Sequence, residues 1–537
     1  MKRAYIKRFL FIFIISVFIC NLANAQSAED RNNIQKLGMA YSAITKLYVD
    51  ETNDSKVVED AIKGMLEKLD PHSSYTNAEE TRKMNEPLEA NFDGIGIQFN
   101  MLTDTLYIVQ VIPGGPSEKV GLIAGDRIVM VDNTSIAGVK MQNSDIVKLI
   151  RGKKGTEVNI KVKRGYQDNL LDFKIIRDII PVYSIDATYM ADSKTGYIRL
   201  SRFASASVEE FEKSLSELRK QGMKNLILDL QGNGGGYLHI AYALADQFLD
   251  KGKLVVYTQG EKVRRSDAIS TEGGLFKEGK VVIIVDGYSA SASEIVSGAV
   301  QDWDRGVIVG RRTFGKGLVQ RPVELPDSSM IRLTVARYYT PSGRYIQRPY
   351  EKGNTEAYNH DLIDRYNKGE LMNADSIHFP DSLKFSTLVS KRTVYGGGGI
   401  MPDIYVPIDS TRSTDYHARI VRMNIINRTV INYLDNNREK LNKQYPNIKN
   451  YKEKFVVTED LLQELIRMGE EEKIEFNEEQ YNKSKKIISL QLKALIAQNL
   501  FDTSEYFQII NDINESYLKA LQIINDEENY NKILKGG

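Results

Sequence analysis

Apolar positions recur at helical spacing early in the chain. Leu37, Tyr41, Ile44, Leu47 and Tyr48 form one stripe, and Val57, Val58, Ile62, Met65, Leu66 and Leu69 form a second. The spacing predicts helices over roughly residues 30–89. The polar run Leu69-Asp70-Pro71-His72-Ser73-Ser74-Tyr75 interrupts them. From Asn91 the pattern changes to short apolar runs between glycine turns. Gly94-Ile95-Gly96-Ile97-Gln98-Phe99 leads into Leu106-Tyr107-Ile108-Val109, and a compact β domain is expected to end near Arg177. Residues 179–409 alternate apolar runs with helical stripes, such as Leu226-Ile227-Leu228 before Leu238 to Leu249, which is α/β texture. A polar insert, 350–384, has little periodicity and reads as surface loop. After Ser410 the chain turns Asn-, Lys- and Glu-rich, with stripes at Leu461, Leu462, Leu465 and Ile466 and again from Ile487 to Ile496. The expected fold class is multidomain α/β (α+β). Its parts are an N-terminal helical region, 26–90, a β domain, 91–178, an α/β core, 179–409, and a helical domain, 410–537.

At 42% hydrophobic residues, the 537-residue chain can bury several cores. Its formal net charge of +1 favours neither nucleic acid nor an acidic partner. Lys2, Arg3, Lys7 and Arg8 precede an apolar stretch, residues 9–19, that is short for a bilayer span, and Ala23-Asn24-Ala25 fits a cleavage site. The expectation is a signal peptide, 1–25, cleaved after Ala25, and an exported, periplasmic protein. Retention of the leader as a membrane anchor, or lipidation at Cys20, is the alternative, although Ile19 is bulky for a residue preceding a lipidated cysteine. Cleavage removes the four leader cations and leaves a net charge of −3. It also removes Cys20, the single cysteine, so no disulfide, thiol nucleophile or Cys-based metal site is expected. No His/Asp/Glu cluster has metal spacing, and no cofactor is expected.

The chemistry concentrates in 179–409. Ser289-Ala290-Ser291-Ala292-Ser293-Glu294 follows the apolar run Val281-Val282-Ile283-Ile284-Val285 and precedes a helical stripe. That order is strand, tight turn, helix, which can hold one hydroxyl in the open beside free N–H groups. Ser291-Ala-Ser-Glu294 also fits a helix capping box, the plainer role. Lys316 lies 25 residues on, in Thr313-Phe314-Gly315-Lys316-Gly317. Gly310 to Gly317 is one residue short of a P-loop, with Gly317 where the hydroxyl should be, and the following residues read extended rather than helical. A Ser and a Lys in this setting suggest a hydrolase with lysine as its base, provided burial keeps the amine neutral. Gln320 can orient that amine without adding charge. Asp229-Leu230-Gln231-Gly232-Asn233-Gly234-Gly235-Gly236 ends a strand in glycines whose N–H groups can face an oxyanion. His239, just beyond, reads as polar surface. In the β domain, Gly94, Ile95, Gly96 and Ile97 can offer N–H groups to a carboxylate, with the strand edge free for an extended peptide.

Together these motifs resemble the carboxyl-terminal processing peptidases, or tail-specific proteases, over roughly residues 37–407. Asp-Leu-x-x-Asn-x-Gly-Gly, Ser-Ala-Ser-Ala-Ser-Glu, Thr-Phe-Gly-Lys-Gly, Tyr339-Thr340-Pro341-Ser342-Gly343-Arg344 and Gly396-Gly397-Gly398-Gly399-Ile400-Met401-Pro402-Asp403 stand in family order. The resemblance implies a PDZ domain followed by a serine protease core. It implies Ser291 as nucleophile, Lys316 as base, Gln320 as its orienting partner, and the N–H groups of Gly236 and Ala292 as oxyanion hole. It makes Gly94 to Ile97 the carboxylate loop and Ser289 and Ser293 structural. Gln231 departs from the Arg common after Asp-Leu, and Gly234 from a frequent Pro. The implied function is an exported serine endopeptidase selecting proteins with apolar C-termini, with an activating or adaptor protein and homo-oligomerisation as further partners. The alternatives are a catalytically silent PDZ scaffold and acyl transfer on small thioesters.

Overall fold

The computed structural model describes residues 28–102, 104–165, 169–409 and 411–536. The expected leader and its cleavage site lie outside the described residues. Within them, no helix is long and apolar enough to cross a membrane.

Two helices, Ala28–Leu47 and Asp54–Glu67, open the fold, and Asn53 caps the second by accepting from Lys56 N. The first leaves Ile34, Leu37 and Leu47 exposed. The polar run that interrupts the helical pattern becomes a turn and a short strand, Ser74–Thr76. That strand pairs antiparallel with Met330–Tyr339, more than 250 residues later. The N-terminal region is thus stitched into the α/β core. A further helix, Ala78–Glu89, starts at a complete capping box between Asn77 and Glu80.

The β domain follows. Strands Ile97–Leu102, Thr105–Val111, Arg127–Val131, Glu157–Lys163 and Leu171–Ile176 pair in that order, with helix Asn143–Ile150 against them. Leu106, Ile108, Ile128, Val158 and Ile160 alternate inward and form its core. The ends of the domain leave side by side, where Asn91–Gly94 pairs antiparallel with Asp178–Pro181.

The central sheet of the α/β core runs Ile185–Met190, Thr195–Leu200, Asn225–Asp229, Val281–Val285, Val307–Gly310, Ile404–Tyr405. Only the first pair is antiparallel. Its inner strands read as unbroken apolar runs because both faces are covered. Leu226, Leu228, Val281 and Ile283 point into a layer with helices Ser207–Lys220, Leu238–Asp246 and Ala292–Asp302. Ile227, Val282 and Ile284 point the other way, onto Tyr517, Ala520, Ile523 and Ile524. The last helices, Glu515–Asn525 and Glu527–Lys535, therefore complete the α/β core, and Tyr530 Oη shares hydrogen bonds of 3.1 Å with the backbone of Val281.

The rest of the C-terminal region is a helical bundle with its own core around Leu434, Leu465, Ile488 and Leu492. It holds the β domain through a nearly buried Arg127–Asp435 ion pair and through Gln110 on Asp502 and Thr503. The insert 350–384 contains helices Thr355–Asn359 and Asp361–Asn367, and buries Tyr358 and Arg365 against the core. It is a folded element, where its polar composition suggested surface loop.

Candidate active site

Ser291 stands at the carboxyl end of Val281–Val285, one residue before helix Ala292–Asp302. Its backbone has φ 56° and ψ −109°, a conformation a non-glycine residue adopts only when its surroundings enforce it. The flanking serines supply part of that enforcement. Ser289 Oγ donates to Leu230 O (2.8 Å) and Ser293 Oγ donates to Asn233 O (2.8 Å). Both are fully buried, so the two outer hydroxyls tie the serine turn to the glycine loop, and the middle one makes no such tie.

Glu294 supplies the rest. It is fully buried and receives four hydrogen bonds. Oε1 accepts from Thr313 Oγ1 (2.6 Å) and Gly315 N (2.7 Å), and Oε2 from Ser291 N (2.8 Å) and Lys316 N (2.9 Å). Burial pushes its carboxyl above the ordinary range, and the four donors oppose that shift. The capping glutamate legible in the sequence is therefore also the pin between the serine turn and the lysine loop. Tyr338, wholly buried, places its hydroxyl against the carbonyl oxygens of both Ser291 and Lys316. Burial holds its phenol far above the ordinary range, so it stays neutral and can donate. No periodicity or motif singles Tyr338 out.

Lys316 Nζ donates to Gln320 Oε1 at 3.0 Å, and no hydrogen bond joins it to Ser291 Oγ. Burial lowers the lysine's pKa and Arg332 adds to the effect, while Glu294 and Asp70 oppose it. Gln320 lies where the register of Leu318–Glu324 on Met330–Tyr339 slips by a residue. Such a bulge re-aims a side chain. The other end of its amide donates to the carbonyl oxygen of His72, in the N-terminal turn. Asp70 builds that turn, accepting from His72 N, Ser73 N, Ser73 Oγ and Thr334 Oγ1. The run that broke the helical pattern at 69–75 thus supports the lysine's partner. Leu318–Glu324 is a strand, so the P-loop likeness has no helix to open.

The glycine loop closes the site. Gly235 and Gly236 have φ of 104° and 151°. A Cβ on Gly235 would lie 2.9 Å from Ser291 Cβ, and one on Gly236 would lie 2.2 Å from Phe203 O. Phe203 bonds the backbone on either side of Gly236, which turns the Gly236 N–H away from that strand. Among the described residues neither Gly236 N–H nor Ala292 N–H has an acceptor. Where Gln231 replaces the expected arginine, Arg199 from the neighbouring strand binds both the buried Asp229 (2.7 Å) and Gln231 O (2.8 Å). His239 is exposed and stacks on Tyr237.

In the β domain, Gly94, Ile95, Gly96 and Ile97 border a cavity of about 90 Å³. Phe99, Val147 and Ile150 supply apolar wall, and Arg151 stands at its edge, paired with Glu86. The N–H groups of Ile95 and Gly96 have no acceptor among the described residues. Those residues also contain no group of three or more His, Cys, Asp or Glu able to hold a metal ion.

A strained serine on a strand-to-helix turn, a partly desolvated lysine and two open N–H groups suit a serine-type peptidase, here carrying a PDZ domain. Comparison with known proteins agrees. Peptidase family S41 matches residues 194–353, a PDZ domain matches 94–175, an "Activating protease CtpB N-terminal domain" matches 19–81, and a family of unknown function matches 416–502. The "Carboxy-terminal-processing protease" of Bartonella bacilliformis is 36% identical over 355 residues, covering 63% of this chain and 80% of the relative. A "Probable CtpA-like serine protease" of Staphylococcus epidermidis is 35% identical over 337 residues, covering 62% and 67%. A solved photosystem II D1 C-terminal processing protease is 25% identical, covering 70% of this chain and 92% of that one, with a TM-score of 0.35. The chain belongs to the carboxy-terminal-processing protease family of S41 peptidases.

Proposed function

We propose that this peptidase is an exported endopeptidase that uses Ser291 and Lys316 as a catalytic dyad and selects substrates by their C-terminal tails. The observation that carries the reading is the lysine. It is half-buried, depressed in pKa by the burial it has, and steered by an uncharged amide, near a strained serine and two open N–H groups. Neutral Lys316 takes the Ser291 Oγ proton as the oxygen attacks the scissile carbonyl. The N–H groups of Gly236 and Ala292 receive the oxyanion. Lys316 then protonates the leaving amine, and water hydrolyses the acyl-enzyme by the same route. In the resting geometry the amine bonds to Gln320, so a swing of its flexible stem toward Ser291 is part of the cycle.

The PDZ cavity suits an apolar C-terminal side chain, with the N–H groups of Ile95 and Gly96 facing its carboxylate. Export rests on the basic, apolar and small-residue order of residues 1–25. The exposed apolar face of Ala28–Leu47 is the surface we assign to a protein partner, an activator or a second copy of the chain. The test is cleavage of a loosely folded protein bearing either an apolar or a charged tail, by residues 26–537 and by Ser291→Ala. Cleavage by the unmodified enzyme alone, faster with the apolar tail, is expected. Undiminished cleavage by Ser291→Ala would refute the dyad, and equal rates on both tails would refute the tail selection.

A further inference from the structure

The lysine loop is held from behind by a segment outside every catalytic motif. Residues Arg311 to Gly317 leave strand Val307–Gly310 without entering another ladder, so their backbone groups need other partners. Arg365, in the insert and only 2% exposed, donates to Thr313 O (2.9 Å) and Phe314 O (3.2 Å). Asp361 pairs with it at 2.7 Å. The arginine fork is suited to fixing two carbonyl oxygens at once. On the far side of Lys316, Gly317 N donates to Gln347 Oε1 (2.8 Å). Gln347 Nε2 in turn donates to the Tyr358 hydroxyl (3.1 Å). That hydroxyl lies 2.8 Å from His72 Nε2, and the His72 carbonyl holds Gln320. Between the two anchors, the Arg348 guanidinium is sandwiched by the rings of Phe314 and Tyr358, at 4.0 and 3.8 Å.

We propose that Tyr358 and Arg365 are positioning residues for the general base. Through them the 350–384 insert and the N-terminal turn clamp Lys316 and Gln320 from both ends of the loop. This rests on the Ser291–Lys316 reading above. The clamp has two effects. It sets the amine's distance from the serine, and it excludes water behind the amine. The charged groups acting on Lys316 are Arg332 from the adjacent strand, Glu294 from the serine helix and Asp70 from the N-terminal turn, and the clamp contributes dryness rather than charge. His72, at the junction, is held to a pKa of about 4, chiefly by burial, so at neutral pH it is uncharged and can accept a hydrogen bond from the Tyr358 hydroxyl.

The experiment compares Tyr358→Phe and Arg365→Lys with the unmodified chain, cleaving an internally quenched peptide with an apolar C-terminal residue across a range of pH. Tyr358→Phe keeps the ring in its stack with Arg348 and removes only the hydroxyl, so it is expected to fold. Arg365→Lys keeps the charge and removes the fork. Each should lower kcat at neutral pH about ten- to a hundredfold with much less change in KM. Each should also move the acid limb of the kcat profile to higher pH, because a wetter lysine regains its proton. A uniform loss across pH, or folded variants with unaltered kcat and acid limb, overturns the inference. Labelling of Ser291 by a fluorophosphonate, with Ser291→Ala and Lys316→Ala assayed alongside, separates the cases. Full cleavage by either of those variants overturns the dyad and the inference with it. A labelled, dyad-dependent enzyme whose insert variants behave normally overturns the inference alone.

Discussion

Replacing Glu294 by glutamine changes one oxygen to an amide and removes the charge, with nearly the same volume. The four donors fall two to each oxygen, so the amide must displace one pair. On the Oε2 side it would face two backbone N–H groups, those of Ser291 and Lys316, with no acceptor between them. On the Oε1 side it would face Gly315 N and Thr313 Oγ1, and that hydroxyl already accepts from Ile400 N at 2.6 Å. The second arrangement is the less costly. It keeps the Ser291 and Lys316 bonds, weakens them by loss of charge, and leaves Gly315 N without a partner. An orphaned buried N–H costs about 1–3 kcal/mol, and reducing the remaining bonds to neutral strength costs roughly 0.5–1 kcal/mol more. The expected loss is therefore about 2–4 kcal/mol of core stability. The chain has a single tryptophan, Trp303, at the end of the Ser291 helix, with its indole N–H on Leu254 O. Its fluorescence in a urea titration reports the α/β core in particular. Activity should fall further than stability, about a hundredfold or more in kcat, because both the serine turn and the lysine loop of the proposed dyad lose their common pin. A Glu294→Gln protein with the original midpoint and kcat would refute the reasoning.

Three further outcomes follow from the site. Because Lys316 is depressed below the ordinary lysine value, kcat should rise with pH through its folded-state pKa and then level; Lys316→Arg, which cannot deprotonate, should be inactive at every pH. The folded pKa of His72 is lowered to about 4, so the unfolded chain binds more protons between that value and about 6.5. Stability should therefore fall as pH drops through this window, by no more than roughly 3–4 kcal/mol, and His72→Gln should flatten the Trp303 midpoint against pH. Gly235→Ala places a Cβ 2.9 Å from both Ala290 O and Ser291 Cβ at φ 104°, and should abolish turnover while the separate PDZ domain still binds an apolar C-terminal peptide, as read by fluorescence anisotropy.

By itself, the sequence determined the classes of element and singled out the groups to which we assign the chemistry. Helical stripes, glycine turns and apolar runs are local patterns, and they placed the β domain and the α/β core. The strand–turn–helix order around Ser291, the lysine loop and the glycine loop were legible because a sharp turn and a close backbone approach demand small residues. What holds those pieces together was not legible, because it depends on contacts between segments far apart in the chain. Asp70 and His72 reach Gln320 only after Ser74–Thr76 joins a sheet that closes beyond residue 330. Tyr338 looks like any aromatic residue in a strand until the fold sets its hydroxyl between two carbonyls. Arg365 and Tyr358 sit in a segment whose polarity signals solvent, and burying them requires partners that only the assembled core supplies. The C-terminal helices show the same division. Their stripes predicted helices, but the face of the central sheet that they cover is specified by the alternation of Ile227, Val282 and Ile284, some 230 to 300 residues earlier. Local pattern fixes which groups exist and on which element; the distance between Lys316 and Ser291, and the desolvation that lowers the lysine's pKa, arise only when remote segments pack.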